Sequence, residues 1–376
     1  MSRETLRKTM RRFTRPMTLV ADEGRGRMRC LACGHRCLVP PGREGVCKVR
    51  FNDSGVLMGP WGYVAGLQDD PIEKKPFTHA VPGSRALSFG MLGCDFHCSY
   101  CQNWVTSQAL RDDAALASVS PISAEEIIVC AKRLSAHVVT STYNEPLITA
   151  EWGAEVFRLA KNAGMITSMV SNGNNTAECV EMLKPVLDMC NVDLKSFQDK
   201  NYRKLGGTLQ GVLDGIIRLH AAGIWMEVVT LVVPGMNDSP AELRAMAEFI
   251  AGVDPGIPWH VTAFHPDYRM TDGHRTPAQK LIEAYRIGRE AGLHFVYPGN
   301  VHGQMGNLEN TACPYCGVLL VERRGYAVLG YHLRDGHCPG CSASIPGFWH
   351  SAETLPFMEL AAPGRVGVGQ VRRVRV

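Results

Sequence analysis

The sequence predicts an α/β protein in which a partial barrel of parallel strands and helices carries a small cysteine-rich module at each end. Between residue 84 and about residue 300, short β-branched runs alternate with longer amphipathic segments, which is typical of parallel βα units. The 14 cysteines give the second observation, because all but Cys130, Cys179 and Cys190 fall into three tight groups. Such spacing indicates thiolate–metal chemistry rather than disulfides.

Composition divides the chain into five segments. They are a basic leader that we expect to be flexible (residues 1–29), a four-cysteine module and linker (30–83), the barrel (84–305), a second cysteine module (306–350) and a tail (351–376).

The length of 376 residues, the 45% hydrophobic content and the net charge of +4 are ordinary for a soluble globular protein. No apolar run approaches a membrane span, and no apolar stretch follows the Arg11-Arg12 pair as export would require. We therefore expect a cytoplasmic protein without a membrane partner. The basic termini lack interleaved aromatic residues, so they give no strong signal for nucleic acid.

The amino-terminal module offers four thiolates with the spacing Cys-x2-Cys-x3-Cys-x9-Cys, and His35 lies nearby. The four residues are Cys30, Cys33, Cys37 and Cys47. This spacing suits either a zinc site or an auxiliary iron–sulfur cluster. Zinc is the preferred interpretation, whereas an auxiliary cluster would indicate electron relay or substrate ligation.

The barrel is predicted from six or seven βα units, fewer than a complete barrel of eight. The strands are expected at residues 86–92, 137–142, 166–171, 189–194, 226–233, 260–264 and 294–297. Helix starts are marked by capping patterns at Ser123, Thr149, Thr176 and Ser239, and helix ends by Gly164, Gly223 and Gly292.

Three cysteines, Cys94, Cys98 and Cys101, lie within eight residues directly after the first predicted strand. A cubane iron–sulfur cluster has four irons and is normally held by four thiolates, so three thiolates leave one iron open. An open metal position indicates catalysis. A zinc knuckle completed by His97 or by a distant thiol is the alternative. Gly93 gives the backbone freedom to turn around a cluster.

Polar residues follow the next predicted strands, at the end where α/β barrels carry their chemistry. Asn144 and Glu145 offer an amide and a carboxylate for an ammonium group, although a helix cap is an equal interpretation. Ser171 and Asn172 suit either a ligand contact or a turn.

On the fourth strand, Asp193 and Lys195 share one face, so they need a ligand or each other. The sixth strand ends at His265.

The spacing Cys-x3-Cys-x2-Cys, with Tyr100 before the last cysteine, resembles the signature loop of radical S-adenosylmethionine (SAM) enzymes. The motifs that follow it in order resemble the pyruvate formate-lyase activating enzymes. These motifs are Ser171-Asn172-Gly173, Asp193-Leu194-Lys195, Val232-Val233-Pro234-Gly235 and Phe264-His265. The resemblance implies a partial (β/α)6-type TIM barrel.

The same resemblance implies a [4Fe-4S] cluster on the cysteine triplet whose open iron chelates SAM. It places Tyr100 against adenine and Asn144 and Glu145 at the amino-group motif. The other residues that it assigns to the SAM site are Ser171, Asn172, Asp193, Lys195 and His265. Val170 stands where the activases usually carry an acidic residue, so a cation site there is in doubt.

The implied reaction is the reductive cleavage of SAM to a 5′-deoxyadenosyl radical, which abstracts hydrogen from an unidentified substrate. Glycyl-radical enzyme activation is the alternative, and a non-catalytic zinc-binding adaptor is a further one. The required electron implies a flavodoxin or ferredoxin-type donor.

Residues 70–76 and both cysteine modules lie outside the activases. Over about residues 30–349 the chain is similar to the radical SAM component of the three-protein AmmeMemoRadiSam system. That similarity implies a protein substrate or the other two proteins of the system as candidate partners.

The carboxyl-terminal module contains two Cys-x2-Cys knuckles, formed by Cys313, Cys316, Cys338 and Cys341. This pattern is typical of a zinc ribbon, and residues 318–329 between the knuckles predict a hairpin. Four thiolates close the coordination shell, so we expect a structural or docking role. A rubredoxin-like iron site is the alternative.

Overall fold

The structure, a computed structural model, describes residues 3–301 and 303–350. The predicted tail at residues 351–376 therefore lies outside the described residues. None of the described helices is long and apolar enough to cross a membrane.

The amino-terminal region forms one helix and seven short strands. They are α1 (Arg3–Met10), β1 (Thr14–Pro16), β2 (Val20–Asp22), β3 (Met28–Cys30), β4 (Leu38–Val39), β5 (Phe51–Asp53), β6 (Val56–Pro60) and β7 (Tyr63–Val64). They build two small antiparallel sheets, β1-β6-β5 and β2-β3-β4.

Apolar residues of the segment expected to be a flexible leader pack against the core. The apolar residues Leu6, Met10, Met17 and Leu19 are all at least nine-tenths buried and belong to the main core. Burial of these side chains favours order despite the basic residues between them, since long basic side chains can stay in solvent while the apolar ones pack.

The following nine strands run to the end of the predicted barrel. They are β8 (Gly66–Pro71), β9 (Arg85–Gly90), β10 (Ser120–Pro121), β11 (Val138–Ser141), β12 (Ile166–Ser171), β13 (Met189–Asp193), β14 (Trp225–Val232), β15 (Trp259–Ala263) and β16 (Val296–Gly299). All except β10, which pairs with β7, form one sheet in the order β16-β15-β14-β13-β12-β11-β9-β8. Strands β9 to β16 in this sheet are parallel, and β8 is antiparallel to β9.

The helices alternate with these strands, which gives the α/β fold that the sequence predicts. They are α2 (Trp104–Ser107), α3 (Ala124–Arg133), α4 (Ala150–Asn162), α5 (Ala177–Leu183), α6 (Asp199–Leu205), α7 (Leu209–Ala221), α8 (Pro240–Val253) and α9 (Ala278–Glu290). Short 3-10 turns cover Ile72–Lys74, Pro146–Thr149 and Gly306–Glu309. All seven predicted strands are present, and each boundary agrees within two residues.

Helix starts follow the predicted capping chemistry with one exception. Ser123 forms a complete capping box, and Thr176 and Ser239 accept the expected backbone hydrogen bonds. Thr149 makes no cap bond to α4, because its hydroxyl donates to the Pro146 carbonyl instead. The carboxylate of Glu145 caps the preceding 3-10 turn.

The carboxyl-terminal region adds β17 (Thr311–Ala312), β18 (Leu319–Arg324) and β19 (Ala327–Tyr331), which form one antiparallel sheet. Strands β18 and β19 are the predicted hairpin. Leu320 and Val321 pack with Phe295 and Tyr297, so this sheet is attached to the edge of the main sheet at β16.

Candidate active site

A cavity of about 500 Å³ lies along one face of the main sheet. Alternate residues of four strands line it, as expected where side chains of a strand alternate between two faces. These are Val170, Asp193, Val229, Leu231 and Thr262. The loop after β9 lines one end of the cavity with Cys98, Tyr100 and Cys101.

The cysteine loop turns directly after β9, where Gly93 has a positive φ of 92°. The backbone N–H of Phe96 donates to Cys94 Sγ over 3.4 Å, and Ser107 Oγ lies 3.1 Å from Cys101 Sγ. Burial raises the pKa of Cys98 to about 12, although the charge of Lys195 opposes this rise. Buried thiols of this kind need a bound cation to remain thiolates.

Among the described residues, neither the three thiols nor a set that includes His97 has all its ligand atoms within 4.8 Å of one another. Ligands of one tetrahedral zinc lie that close, whereas the thiolates of a cluster bind different irons.

Asp193 and Lys195 form an ion pair, with Nζ and Oδ2 separated by 2.9 Å. Burial alone lowers the pKa of Lys195, but the charges of Asp193 and Cys98 raise it well above its usual value. The side chain of Asp193 is 32% exposed, and both residues line the cavity. The pair therefore places a fixed positive and a fixed negative charge beside the cysteine loop.

Glu145 lies behind the loop and connects the ends of two strands. Its carboxylate accepts hydrogen bonds from Ser171 Oγ at 2.7 Å and from the Asn172 N–H at 2.8 Å. Burial, together with the charge of Asp95, raises the pKa of Glu145 to about 8, against the lowering effect of these bonds. Asn144 accepts from the Met91 N–H at 2.9 Å.

Asp95 is a site residue to which the sequence analysis gave no role. It is 1% exposed, and its two carboxylate oxygens accept from the side-chain amides of Asn172 and Asn174 at 2.7 and 2.9 Å. Its position between two cysteines of the triplet is the sequence feature that could have indicated a role in the site. It fixes the cysteine loop to the end of β12.

The structure thus divides the predicted SAM residues into two groups. Tyr100, Asp193 and Lys195 line the cavity. Asn144, Glu145, Ser171, Asn172 and His265 lie outside the lining among the described residues. The ring Nδ1 of His265 lies 3.3 Å from the Pro266 carbonyl oxygen, at the end of β15.

Glu73 and Arg323 also line the cavity and are at least nine-tenths buried. Glu73 Oε1 accepts from the Gly83 N–H at 2.7 Å, and Arg323 donates to Thr311 Oγ1 at 2.7 Å. Glu73 Oε2 and Arg323 Nε have no hydrogen-bond partner among the described residues. Burial raises the pKa of Glu73 to about 7, although the charge of Arg323 opposes it. Such unsatisfied buried atoms are uncommon in folded proteins.

The connection between β8 and β9 closes the floor of the cavity. The N–H groups of Thr78 and His79 donate to the carboxylate of Glu227, and His260 Nε2 lies 2.7 Å from it. Burial alone raises the pKa of Glu227, but the hydrogen bond and charge of His260 bring it below its usual value. This buried network holds Thr78 and His260, which line the cavity, in fixed positions.

The carboxyl-terminal cysteines form a compact site. The Sγ atoms of Cys313 and Cys341 are 3.6 Å apart and those of Cys316 and Cys338 3.5 Å apart, and all four lie within 4.8 Å of one another. A tetrahedral zinc with Zn–S bonds of about 2.3 Å would hold its sulfurs about 3.8 Å apart. The four thiols therefore fit a single metal ion.

Comparisons with known proteins agree with this arrangement. The sequence model of the Radical SAM superfamily matches residues 90–250. An uncharacterized protein of Methanocaldococcus jannaschii is 38% identical over 323 residues, which are 85% of this chain and 95% of that protein. The pyruvate formate-lyase-activating enzyme of Clostridium pasteurianum is 24% identical over 209 residues, 51% of this chain and 84% of that enzyme.

Among solved structures, a domain of the pyruvate-formate lyase-activating enzyme of Bacteroides vulgatus matches with a TM-score of 0.39 and 17% identity, over 43% of this chain and 98% of that domain. The chain belongs to the radical SAM superfamily. Membership implies a [4Fe-4S] cluster and SAM. The similarity to the activating enzymes supports membership of the same superfamily, but it does not show the same reaction or substrate.

Proposed function

We propose that this protein is a radical SAM enzyme that uses Cys94, Cys98 and Cys101 to hold a [4Fe-4S] cluster with one open iron. The observation that carries the proposal is that Cys98 and Cys101 of the three-cysteine loop line a cavity that the Asp193–Lys195 pair also lines. When bound and reduced, the cluster supplies the electron that splits SAM into methionine and a 5′-deoxyadenosyl radical.

The residues of the chain bind and orient the cofactor in this proposal. The Lys195 ammonium suits the carboxylate of SAM, and the exposed carboxylate oxygen of Asp193 suits its ammonium or ribose hydroxyls. Tyr100 lines the same wall and offers a ring face for adenine. The residues Asn144, Glu145, Ser171 and Asn172 hold this wall in position, while His265 is proposed to approach SAM from the rim.

The substrate is proposed to lie between the cofactor and the far end of the cavity. Glu73 and Arg323 line this part of the cavity and place one carboxyl group and one guanidinium group beside it. The floor formed around Glu227 keeps water from the reacting atoms, which a radical intermediate requires.

The fold assignment follows from the same proposal. Residues 84–305 are proposed to form a partial (β/α)6-type TIM barrel, with residues 30–83 and 306–350 as separate cysteine-rich modules. Zinc is the proposed metal of the carboxyl-terminal site, since four thiols within 4.8 Å match its preferred geometry. We propose a structural role for that site, because β18 supplies Arg323 to the cavity wall.

We also propose that the protein is cytoplasmic and receives its electron from a flavodoxin or ferredoxin-type donor. We further propose that it is the radical SAM component of the AmmeMemoRadiSam system. The other two proteins of that system are the proposed partners. Activation of a glycyl-radical enzyme is the second candidate function, and the similarity to the activating enzyme of Clostridium pasteurianum favours it.

The test is anaerobic reconstitution of the full chain with iron and sulfide, followed by addition of dithionite and SAM. Methionine and 5′-deoxyadenosine should be released in equal amounts, measured by liquid chromatography and mass spectrometry. A non-catalytic adaptor would release neither product, and that result would overturn the proposal. To test the second candidate, the reaction is repeated with a glycyl-radical enzyme and its glycyl radical is measured by electron paramagnetic resonance (EPR).

A further inference from the structure

The segment at residues 70–76 forms part of the cavity wall, although the proposed SAM site does not use it. Pro71 ends β8, and its φ of −57° leads into the 3-10 turn Ile72–Lys74. Ile72 is fully buried, which anchors this turn. Lys74 and Lys75 both line the cavity. The anchored turn therefore holds two adjacent lysine residues at the cavity wall.

Both lysine residues pair with the same carboxylate. Lys74 Nζ lies 2.7 Å from Asp70 Oδ1, and Lys75 Nζ lies 2.8 Å from Asp70 Oδ2. The side chain of Asp70 is only 3% exposed, so one ammonium group occupies each of its oxygens. Two positive charges and one negative charge leave this group with one excess positive charge.

The other carboxyl groups of the cavity lining have different partners. These are Asp193 with Lys195, Glu73 with the Gly83 N–H, and Glu309 with the Gly325 N–H. Among residues 3–301 and 303–350, Asp70 is the only carboxylate within ion-pair distance of Lys74 or Lys75. No second carboxylate of this part of the chain therefore pairs with the excess charge.

Tyr143 holds Lys75 in position. Lys75 Nζ donates to Tyr143 Oη at 2.9 Å and lies 4.6 Å from the centre of the ring, and Tyr143 Oη donates to Asp70 Oδ2 at 3.2 Å. Thr106 Oγ1, on the helix after the cysteine loop, donates to the Tyr143 carbonyl at 3.1 Å. A Cβ atom at Gly90 would lie 2.9 Å from Tyr143 Cβ, so glycine gives the tyrosine its place. Tyr143 thus connects the lysine pair to the region of the cysteine loop.

The two ammonium groups keep hydrogen-bonding capacity. Each has three N–H donors, of which Lys75 uses two, on Asp70 and Tyr143, and Lys74 uses one, on Asp70. The other three donors have no hydrogen-bond acceptor among the residues that the structure describes. The side chain of Lys74 is 34% exposed and that of Lys75 is 4% exposed. Free donors and one excess positive charge are suited to an oxygen anion.

We propose that Lys74 and Lys75 bind a singly charged oxygen anion of the substrate, a carboxylate or a phosphodiester. A single negative charge makes the group with Asp70 neutral, whereas a second one would leave an uncompensated charge at a largely buried site. Asp70 and Tyr143 are positioning residues, because they act through Lys75. The assignment of the anion to the substrate rests on the proposed function, whereas the binding of an anion does not.

The test measures the binding of acetate and of dimethyl phosphate to the full reconstituted chain by saturation-transfer difference NMR, at constant ionic strength and with saturating SAM. At least one probe should bind. Lys74→Gln removes the excess charge but keeps the Lys75–Asp70 pair, so the Kd of that probe should rise about tenfold. Lys161→Met, which removes a surface ion pair, should leave it unchanged. Failure of both probes to bind, or the same Kd in Lys74→Gln, would overturn the inference.

The two probes distinguish the two sources of the anion. Binding of acetate alone identifies a carboxylate, and binding of dimethyl phosphate alone identifies a phosphodiester. Circular dichroism of Lys74→Gln should match that of the wild type, because this side chain is partly exposed and its loss leaves the buried pair intact.

A second pair of variants makes the measurement independent of SAM. In Lys195→Met without SAM, the addition of Lys74→Gln should again raise the Kd of the probe about tenfold. If this rise occurs in a protein that forms no 5′-deoxyadenosine, the anion site is confirmed and the proposed function is wrong. If the Kd stays the same in both pairs of variants while 5′-deoxyadenosine is formed, the proposed function stands and the anion site is excluded.

Discussion

Lys195 Nζ lies 2.9 Å from Asp193 Oδ2 at the carboxyl end of β13, and both side chains line the cavity that Cys98 and Cys101 also line. Each residue satisfies the other in the absence of a ligand, which was one of the two interpretations that the sequence allowed. The pair remains able to bind a zwitterion, since Asp193 is partly exposed. The charge of Lys195 lowers the pKa of Cys98 against the effect of burial, whereas the charge of Asp193 raises it.

Replacing Lys195 should weaken SAM binding without removing the cluster. Lys195→Met deletes a charge-assisted hydrogen bond of about 2 kcal/mol, so the Kd for SAM should rise roughly thirtyfold. Anaerobic calorimetry with reconstituted protein measures this. Lys161→Met is the matched control, because it removes a surface ion pair with Asp188. Unchanged SAM affinity in Lys195→Met would exclude the assigned contact.

The buried pair Arg50–Glu151 should be important for stability. Arg50 is 1% exposed and donates to Glu151 Oε1 at 3.0 Å and to the Ile148 carbonyl at 2.7 Å. Arg50→Met leaves a buried carboxylate unpaired, which should cost about 3 to 5 kcal/mol of the free energy of unfolding.

The exposed pair Arg158–Glu155 provides the comparison. Arg158→Met should cost less than about 1 kcal/mol in the same urea titration. If the two substitutions lowered the free energy of unfolding equally, burial would not determine how much the Arg50–Glu151 pair contributes to stability.

Glu73 should make stability depend on pH. Its pKa is about 7 in the folded protein against 4.5 ordinarily, because burial disfavours the charged form. The folded state therefore retains a proton that the unfolded state releases, and stability falls as the pH rises from about 4.5 to 7, by roughly 3 kcal/mol.

Glu73→Gln should flatten this part of the profile, measured by urea unfolding at several pH values. Glu290→Gln, an exposed change on α9, serves as the control. A profile that stays the same in Glu73→Gln would assign the pH dependence to another group.

Removing the carboxyl-terminal metal should loosen the far wall of the cavity. Cys338→Ser breaks the compact four-thiol site, so one zinc per chain should be lost and the β18–β19 hairpin should lose protection in hydrogen exchange. Cys130→Ser on α3 should change neither quantity. If β18 kept its full protection from hydrogen exchange without zinc, packing against Phe295 and Tyr297 would be enough to hold the strand, and the prediction would be wrong.

The sequence predicted the parallel strands well because their residues carry the signal locally. Val138 and Val139 are fully buried, and their β-branched side chains favour a strand. Strand β8 was missed, since Gly66–Pro71 contains glycine, aspartates and proline, and its pairing with β9 is a tertiary contact. The packing of Leu6 and Met10 against the core was not predicted, because their burial depends on residues distant in the sequence.

The candidate site was predictable where its residues form motifs. Cys98 and Cys101 of the triplet, together with Tyr100, Asp193 and Lys195, line the cavity as their positions suggested. Arg323 gave no such signal, because it reaches the cavity from a hairpin 250 residues after Glu73 in the chain. The partner of Asp95 was equally hidden, since Asn172 and Asn174 are brought to it by the fold.

The most direct test of the central claim compares Cys98→Ala with Cys130→Ala in reductive SAM cleavage. Both variants remove one thiol, but only Cys98 lines the cavity. After anaerobic reconstitution and addition of dithionite and SAM, Cys130→Ala should form 5′-deoxyadenosine at the wild-type rate, and Cys98→Ala should form none above background. Undiminished 5′-deoxyadenosine formation by Cys98→Ala would contradict a catalytic cluster on this triplet.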